Sequence, residues 1–351
     1  MGCSGTGSHR IAREDRTEAD VIRSILSNLA LRPPTRLRSL VPSRGVTLSD
    51  KTIVLTGASS GIGEATAHLL ARRGAEMILV ARGEENLEHV RDEIHRRGGW
   101  AHIVPADLSS GEAVDELAET IADRFGSVDI LVNNAGRSIR RTALDSVDRF
   151  HDYERTMALN YFGPTRLTLR LLPAMLEAKS GHIINVGTWG VTAGVMPRFS
   201  AYHASKSALS AFGRSLGAEC HGTGVDVTTV QFPLIRTPMI APTADYVSQP
   251  ALTADQAASW ILRAINTRPV ELYPRYAGLL RAIDVVSPSA LTLSCEGPGS
   301  EGLGFEGLGF EGLGSDQKRA PAPGHGSSPV LMYSIVAVQA AVGGLFPPIG
   351  C

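Results

Sequence analysis

Residues 52–63 read TIVLTGASSGIG, a short apolar run that leads directly into a glycine-rich turn. The run predicts a buried strand, and residues 65–73 predict a helix after the turn. Glycines let such a turn bend tightly and approach a pyrophosphate at the helix N-terminus. The spacing is G-x-x-x-G-x-G rather than G-x-G-x-x-G, but its place after a strand favours a dinucleotide site. The turn residues expected to contact a dinucleotide are Gly57, Ser59, Ser60, Gly61, Ile62 and Gly63.

The alternation of strands and helices continues through residues 47–286. Residues 77–81, MILVA, are fully apolar, as buried parallel strands are. Further strands are predicted at residues 101–105, 128–132, 182–186, 225–232 and 270–273, and helices at residues 111–125, 151–176, 201–221 and 254–267. This order predicts an α/β fold, a single Rossmann-type domain with a doubly wound parallel sheet.

The two ends of the chain differ from this domain. Residues 1–46 contain eight arginines and four acids, a net charge of +4, and an apolar helical stripe between residues 21 and 29. The stripe predicts a short helix that docks on the domain or on an oligomeric partner; a membrane-surface or partner-binding helix is the alternative. Residues 287–351 are predicted to form a disordered, glycine-rich tail, because a five-residue repeat at 301–314 fits neither a helix nor a strand. Two alternatives stay open for this tail: a membrane anchor formed by the apolar residues 330–346, or a shifted reading frame.

Composition excludes several classes of protein. The net charge of −1 over 351 residues gives no overall field that would favour nucleic acid. The four cysteines are far apart and form no C-x-x-C or Cys/His cluster, so no metal site is expected. Without a secretory leader or a disulfide framework, the cytoplasm is the expected compartment.

The residues that follow the second, third and fourth strands indicate which cofactor the protein binds. An acid at the end of the second strand would bind a ribose 2′-hydroxyl and favour NAD, but Arg82 stands there instead. A guanidinium can pair with a 2′-phosphate, so we predict NADP(H); the alternative is that Arg82 merely faces solvent. Asp107 follows the third strand, where it could reach the adenine. Residues 133–136, NNAG, follow the fourth strand and let the chain pass close to the cofactor.

The sequence Tyr202-His203-Ala204-Ser205-Lys206 carries the expected acid–base chemistry. Residues four apart on a helix share one face, so the phenol and the ammonium would be neighbours. A free phenol has a pKa of about 10, and a nearby cation lowers that pKa by stabilising the phenolate. We therefore predict that Tyr202 transfers the proton during hydride transfer.

These motifs occur in an order that resembles the short-chain dehydrogenase/reductase family: TGASSGIG at 56–63, NNAG at 133–136, Asn160 in a long helix, and Y-x-x-x-K at 202–206. The similarity covers about residues 48–285. A closer similarity, to the reductase domain of mycobacterial-type fatty acyl-CoA reductases, is carried by residues 133–141, 182–191, 237–243 and 250–258.

The resemblance implies roles for individual residues. Tyr202 would be the proton donor in reduction, Lys206 would lower its pKa and hold the nicotinamide ribose, and Asn160 would support a water chain. The other residues expected to contact the cofactor are Gly57, Ser59, Ile62, Arg82, Asp107, Leu108, Asn134, Ala135 and Gly136. The resemblance also implies a homodimer or a homotetramer.

The chain departs from the family pattern at two places. The family has a catalytic Ser 13 residues before the Tyr, where this chain has Trp189; Thr188 stands one residue earlier. We predict that a one-residue longer loop brings the Thr188 hydroxyl into that position, where it can donate to a substrate carbonyl. After the sixth strand, Leu234 replaces the usual Gly; the resemblance implies that Ile235 and Thr237, which follow it, contact the nicotinamide side of the cofactor.

The sequence thus predicts an NADPH-dependent oxidoreductase that reduces a lipophilic carbonyl, a fatty aldehyde or a fatty acyl-CoA by resemblance. An apolar segment at residues 237–253 would cover the substrate. The alternatives are a ketone reductase of 3-oxoacyl or steroid-like compounds and a non-catalytic NADP(H)-binding sensor. No nucleic acid is expected as a partner, and membrane contact stays an alternative.

Overall fold

A computed structural model describes residues 31–32, 48–239 and 249–288 of the chain. The strands are β1 (Thr52–Thr56), β2 (Glu76–Ala81), β3 (Trp100–Pro105), β4 (Ile130–Asn133), β5 (Gly181–Thr188), β6 (Val225–Phe232) and β7 (Glu271–Leu272). The α-helices are α1 (Gly61–Ala71), α2 (Glu84–Arg96), α3 (Gly111–Phe125), α4 (Phe150–Met157), α5 (Gly163–Glu177), α6 (Trp189–Ala193), α7 (Ser200–Glu219), α8 (Ala254–Thr267) and α9 (Arg275–Val286). A 3-10 turn (Leu144–Ser146) and a π turn (Ala158–Phe162) complete the described elements.

The seven strands form one parallel sheet in the order β3-β2-β1-β4-β5-β6-β7. The chain order reverses between β1 and β4, which is where sheets of this kind open a crevice at the carboxyl ends of their strands. The predicted α/β fold with a doubly wound parallel sheet is therefore confirmed.

Helices cover both faces of the sheet, because alternate residues of each strand point to opposite sides. In β1, Ile53 and Leu55 pack in one apolar cluster with α1, α2 and α8, whereas Val54 packs in the other with α3, α5 and α7. All three side chains have no exposed surface. Burial on both faces explains why the strands read as continuous apolar runs in the sequence.

Two helices differ from the sequence prediction. Helix α1 begins at Gly61, four residues before the predicted start, since tertiary packing of the turn outweighs the low helix propensity of glycine. The helix predicted at residues 151–176 is divided into α4, the π turn and α5. Pro164 explains the division: in a regular α-helix its ring would clash with the carbonyl of Asn160, four residues earlier.

The N-terminal region meets the domain at Leu31, which is 5% exposed and belongs to the first apolar cluster. The carbonyl of Arg32 accepts a hydrogen bond of 3.3 Å from the amide of Arg275, at the start of α9. The predicted helical stripe at 21–29, the repeat at 301–314 and the apolar stretch at 330–346 lie outside the described residues. The domain boundaries at 46/47 and 286/287 stay predictions. Over the described part of the chain, no helix combines the length and the apolar character that crossing a membrane requires.

Candidate active site

A cleft of about 1010 Å³ lies at the carboxyl ends of the strands, where the strand order reverses. Most of the predicted site residues line it, although they are far apart in the sequence. Those that do are Gly57, Ser59, Ser60, Gly61, Ile62, Arg82, Leu108, Asn134, Ala135, Gly136, Thr188, Tyr202, Lys206, Ile235 and Thr237. The predicted residues Gly63, Asp107 and Asn160 do not line it.

The glycine-rich turn has a backbone that other residues would strain. Gly57 has φ of 66°, and a Cβ atom there would lie 2.8 Å from the Cα of Ala135. A Cβ atom on Gly63 would lie 1.9 Å from the carbonyl oxygen of Gly57, so Gly63 packs behind the turn. The turn can therefore bring backbone N–H groups at the start of α1 close to an anionic ligand.

Polar bonds hold this turn against the end of β4. The side-chain amide of Asn134 donates to the carbonyls of Thr56 and Gly57 at 2.9 and 3.2 Å. The Thr56 hydroxyl accepts from the amides of Asn134 and Ala135, both at 3.0 Å. These bonds fix the floor of the cleft between the two central strands.

The end of β2 supplies a cation to one part of the cleft. Arg82 is exposed and lines the cleft. Asp107 accepts bonds from the amide and the hydroxyl of Ser109, at 3.0 and 2.7 Å. Burial raises the pKa of Asp107, but the bonds from Ser109 and the charge of Arg82 outweigh burial, so the pKa falls below its usual value. Asp107 is thus an ionised neighbour of Arg82.

Tyr202 and Lys206 both line the cleft from one face of α7. The Nζ of Lys206 is buried and donates to the carbonyl oxygen of Val186 on β5 at 2.8 Å. Burial lowers the pKa of Lys206 to about 8. The ring of Tyr202 packs edge-on against Phe199, with 6.3 Å between ring centroids. The predicted neighbours thus meet in the cleft, with an ammonium that is still mostly charged at pH 7.

Thr188 ends β5 and lines the cleft together with Tyr202 and Lys206. It is 6% exposed, at the entrance to α6. Trp189, the residue at the family's Ser position by count, also lines the cleft, and its ring packs against Tyr276 of α9 at 5.5 Å between centroids. Thr188 therefore provides a hydroxyl donor in the cleft, although Trp189 is the residue that stands 13 positions before Tyr202.

Asn160 lies in the π turn, fully buried behind the cleft. Its side-chain oxygen accepts from the amide of Arg137, and its Nδ2 donates to the Arg137 carbonyl and the Ser205 hydroxyl, all at 2.9 Å. A Cβ atom on Gly136 would lie 3.2 Å from both Asn160 Oδ1 and Lys206 Nζ. Asn160 therefore fixes the backbone next to Lys206, while its role in a water chain stays a prediction.

Several residues that line the cleft were not predicted from the sequence. The apolar ones include Leu159, Met196, Phe199 and Phe232. Met196 and Phe199 fall between Thr188 and Tyr202 in the chain, and this position is the signal that could have identified them. The polar ones are Asn86, at the start of α2, and Arg137, Ser138 and Arg140, directly after the N-N-A-G motif. Of the predicted substrate segment, Thr237, Pro238 and Met239 line the cleft, and residues 240–248 lie outside the described residues.

The charge of the cleft suits an anionic dinucleotide. Among the lining residues within 48–239 and 249–288, four are cationic and none is an Asp or Glu. The cationic residues are Arg82, Arg137, Arg140 and Lys206. With the glycine turn for the pyrophosphate and Arg82 for a 2′-phosphate, the residues present fit NADP(H).

Comparisons with known proteins point the same way. The sequence family described as short chain dehydrogenase matches residues 51–247. A fatty acyl-CoA reductase of Mycobacterium tuberculosis is 49% identical over 261 residues, which cover 74% of this chain and 89% of that protein. A fatty acyl-CoA reductase of Acinetobacter baylyi is 48% identical over 238 residues, which cover 68% of this chain and 80% of that protein. Among solved structures, a metagenomic short-chain oxidoreductase in complex with NADP is 31% identical and has a TM-score of 0.55, over 64% of this chain and 94% of that one.

Proposed function

Because the chain belongs to the short-chain dehydrogenase/reductase family, we propose that it is an NADP(H)-dependent reductase of lipophilic carbonyl compounds, either fatty aldehydes or fatty acyl-CoA thioesters. The observation that carries this proposal is that Tyr202, Lys206 and Thr188 line one cleft together with apolar side chains such as Met196 and Phe199. Two relatives that are nearly half identical and named fatty acyl-CoA reductases support the substrate class.

The preference for NADP(H) rests on the charges at one end of the cleft. Arg82 stands where NAD-binding proteins of this fold carry an acid, and a guanidinium matches the geometry of a phosphate. The neighbouring carboxylate of Asp107 is ionised, and the charge of Arg82 contributes to its lowered pKa. A solved relative in complex with NADP is consistent with this preference.

In the proposed reaction, bound NADPH supplies a hydride to the carbonyl carbon. Tyr202 donates its phenolic proton to the carbonyl oxygen, and Thr188 donates a hydrogen bond to the same oxygen as its negative charge develops. The charged Lys206 stabilises the phenolate that Tyr202 becomes. Asn160 holds the backbone of Arg137 beside Lys206, where a water chain would return a proton. With a thioester as substrate, addition of the hydride and the proton gives a hemithioacetal. Cleavage of its C–S bond, with the hydroxyl proton passing to the sulfur, releases an aldehyde and the free thiol of the carrier.

The proposal is tested by following NADPH oxidation with a panel of carbonyl compounds of graded chain length. We expect turnover with long-chain aldehydes or acyl-CoA thioesters and much less with short polar aldehydes, because Phe199 packs against Tyr202 and the apolar side chains of Leu159 and Met196 line the same cleft. A clear preference for 3-oxoacyl or steroid ketones would instead support the ketone reductase alternative. NADPH binding without turnover on any carbonyl would support the sensor alternative.

Tyr202→Phe isolates the chemical step. We expect this variant to lose about 10²–10⁴-fold in turnover, the usual contribution of a positioned proton donor, while it still binds NADPH. NADPH fluorescence on binding provides the control for folding. Unchanged turnover in this variant would contradict the role of Tyr202.

A further inference from the structure

Two consecutive side chains, Thr188 and Trp189, line the cleft from the junction of β5 and α6. Thr188 is the last residue of the strand, and Trp189 is the first residue of the helix. Successive side chains of a strand point to opposite faces, so the direction of each depends on the residue at which the strand ends. A shift of this junction by one residue would turn Thr188 away from its present place in the cleft.

The cap of α6 does not fix this junction. Thr188 is the N-cap residue of α6, a position at which a Thr hydroxyl usually accepts a hydrogen bond from a backbone amide of the first turn. Here the Thr188 side chain makes no capping bond. The start of α6 must therefore be held by contacts with other elements, and the hydroxyl is not used by its own helix.

The first of these contacts joins Trp189 to α9. Its indole packs edge-on against the ring of Tyr276, with 5.5 Å between the ring centroids and 63° between the ring planes. Aromatic pairs prefer this arrangement. Tyr276 is not a lining residue of the cleft, and its ring packs against the apolar cluster that α1, α2 and α8 share with the sheet. The core of the domain therefore fixes the ring that holds the indole.

Two further contacts hold the rest of α6. Gly194, which ends α6, has φ of 88°, and a Cβ atom there would lie 2.7 Å from a carboxylate oxygen of Asp284 on α9. The side chain of His203, next to Tyr202 on α7, forms a hydrogen bond with the backbone of Gly190. Helix α6 thus contacts α9 at both of its ends and also contacts the helix that carries Tyr202.

We propose that Trp189 is a positioning residue whose contact with Tyr276 fixes the start of α6 and thereby presents the Thr188 hydroxyl to the substrate carbonyl. The inference rests on the proposed function and gives Trp189 and Tyr276 a part in the same site. Trp189 acts through Thr188 and not on the reacting atoms themselves. Because a misplacement of about 1 Å can cost about 10²-fold in rate, loss of the contact should appear in turnover.

A double-mutant cycle tests whether Trp189 acts through Thr188. With the best substrate of the carbonyl panel, Trp189→Ala should lower kcat about tenfold or more and change the affinity for NADPH less than about twofold. In the Thr188→Ala background the same substitution should lower kcat by less than about a further twofold, because the hydroxyl that it displaces is already absent. Losses that multiply in the double variant would overturn the proposal, since Trp189 would then act independently of Thr188.

Substitutions that keep or remove the aromatic pair provide the second comparison. Trp189→Phe keeps a ring for Tyr276 and should recover most of the turnover that Trp189→Ala loses. Tyr276→Leu should lower kcat in the otherwise unaltered protein but not in Trp189→Ala. Trp100→Ala is the matched control, since this tryptophan is 70% exposed and lies outside the cleft lining, so kcat should stay unchanged. Equal losses in Trp189→Phe and Trp189→Ala would contradict the proposal.

A crystal structure of Trp189→Ala gives a readout that needs no turnover. We expect the start of α6 to shift and the Thr188 hydroxyl to leave its place in the cleft; an unchanged Thr188 would overturn the proposal. The failures of the two proposals are therefore distinguishable. If Thr188 moves in this variant but the unaltered protein reduces no carbonyl compound, the reductase assignment is wrong and the positioning by Trp189 stands. If carbonyl compounds are reduced but Thr188 does not move, the positioning is wrong and the reductase assignment stands.

Discussion

Lys206 combines two demands that oppose each other. In the proposed reaction its ammonium must be charged to stabilise a phenolate and to hold a ribose. The residue is buried, however, and burial lowers its pKa from 10.5 to about 8. The bond from its Nζ to the Val186 carbonyl offsets part of the lost hydration. The residue therefore keeps its charge at neutral pH and begins to lose it in a range that is accessible to experiment.

We expect the affinity for NADPH to decrease as pH rises through about 8. The sign follows from linkage: the anionic dinucleotide favours charged Lys206, so deprotonation of the free protein weakens binding, by up to about tenfold per pH unit for one proton. Fluorescence titration of NADPH between pH 6.5 and 9.5 measures this. In Lys206→Met binding should be weaker and this break near pH 8 should be absent. Affinity that stays constant to pH 9.5 in the unaltered protein would contradict the assignment.

Substitution of Thr188 tests whether its hydroxyl donates a hydrogen bond to the carbonyl oxygen of the substrate. Thr188→Ala should lower kcat/KM by about 10²–10³-fold, the loss expected when one donor to a developing oxyanion is removed. Thr188→Ser keeps the hydroxyl and should recover most of the activity. If the Ala and Ser variants lose activity equally, the methyl group rather than the hydroxyl of Thr188 matters.

Single residues were predictable from the sequence where spacing alone specifies geometry. Tyr202 and Lys206 stand four apart on a helix, so their common face follows from the helical repeat. Arg137 and Arg140 were not predictable, because the direction of an arginine in a loop depends on distant residues that hold the loop. Asn160 bonds to Arg137 and Asp152 bonds to Arg141, at the two ends of the loop formed by residues 137–141. Both partners lie within residues 151–176, which the sequence pattern predicted as one continuous helix.

Among the secondary-structure elements, the π turn between α4 and α5 was not predicted from the sequence. Five residues are too few to distinguish a period of 3.6 from a wider turn, so residues 151–176 read as one helix. The fold requires the interruption, because α5 begins at Gly163 in contact with the loop after β3. A Cβ atom on Gly163 would lie 2.1 Å from the carbonyl oxygen of Leu108.

This contact predicts that Gly163→Ala destabilises the protein. Helix propensity alone would favour Ala by about 1 kcal/mol, but displacing a backbone carbonyl costs about 1–3 kcal/mol or more. Chemical denaturation measures the difference. Gly217→Ala on α7 is the matched control, since a Cβ atom there would be no closer than 3.4 Å to the side chain of Val227. The interpretation fails if the two variants are equally stable.

For the molecule as a whole, the sheet was predictable because its strands are buried on both faces, and such strands appear in the sequence as continuous apolar runs. The strand register was not predictable, since it depends on contacts between distant parts of the chain. Residues 1–46 were predicted to form a leader whose short helix docks on the domain or on an oligomeric partner. Leu31, two residues after the predicted stripe at 21–29, belongs to the apolar cluster under α1, α2 and α8.

We therefore expect Leu31→Ala, in the full chain, to lower the free energy of unfolding by about 2–4 kcal/mol, as removal of a buried leucine side chain usually does. Leu279→Ala on α9 is the matched control: this leucine is 46% exposed, and its loss should change stability by less than about 0.5 kcal/mol. Equilibrium denaturation in urea separates the two variants by their midpoints at equal slope. A large effect at Leu31 means that residues before 47 take part in the cooperative folding of the catalytic domain. An effect no larger than that of Leu279→Ala would mean that the domain reaches its full stability without them.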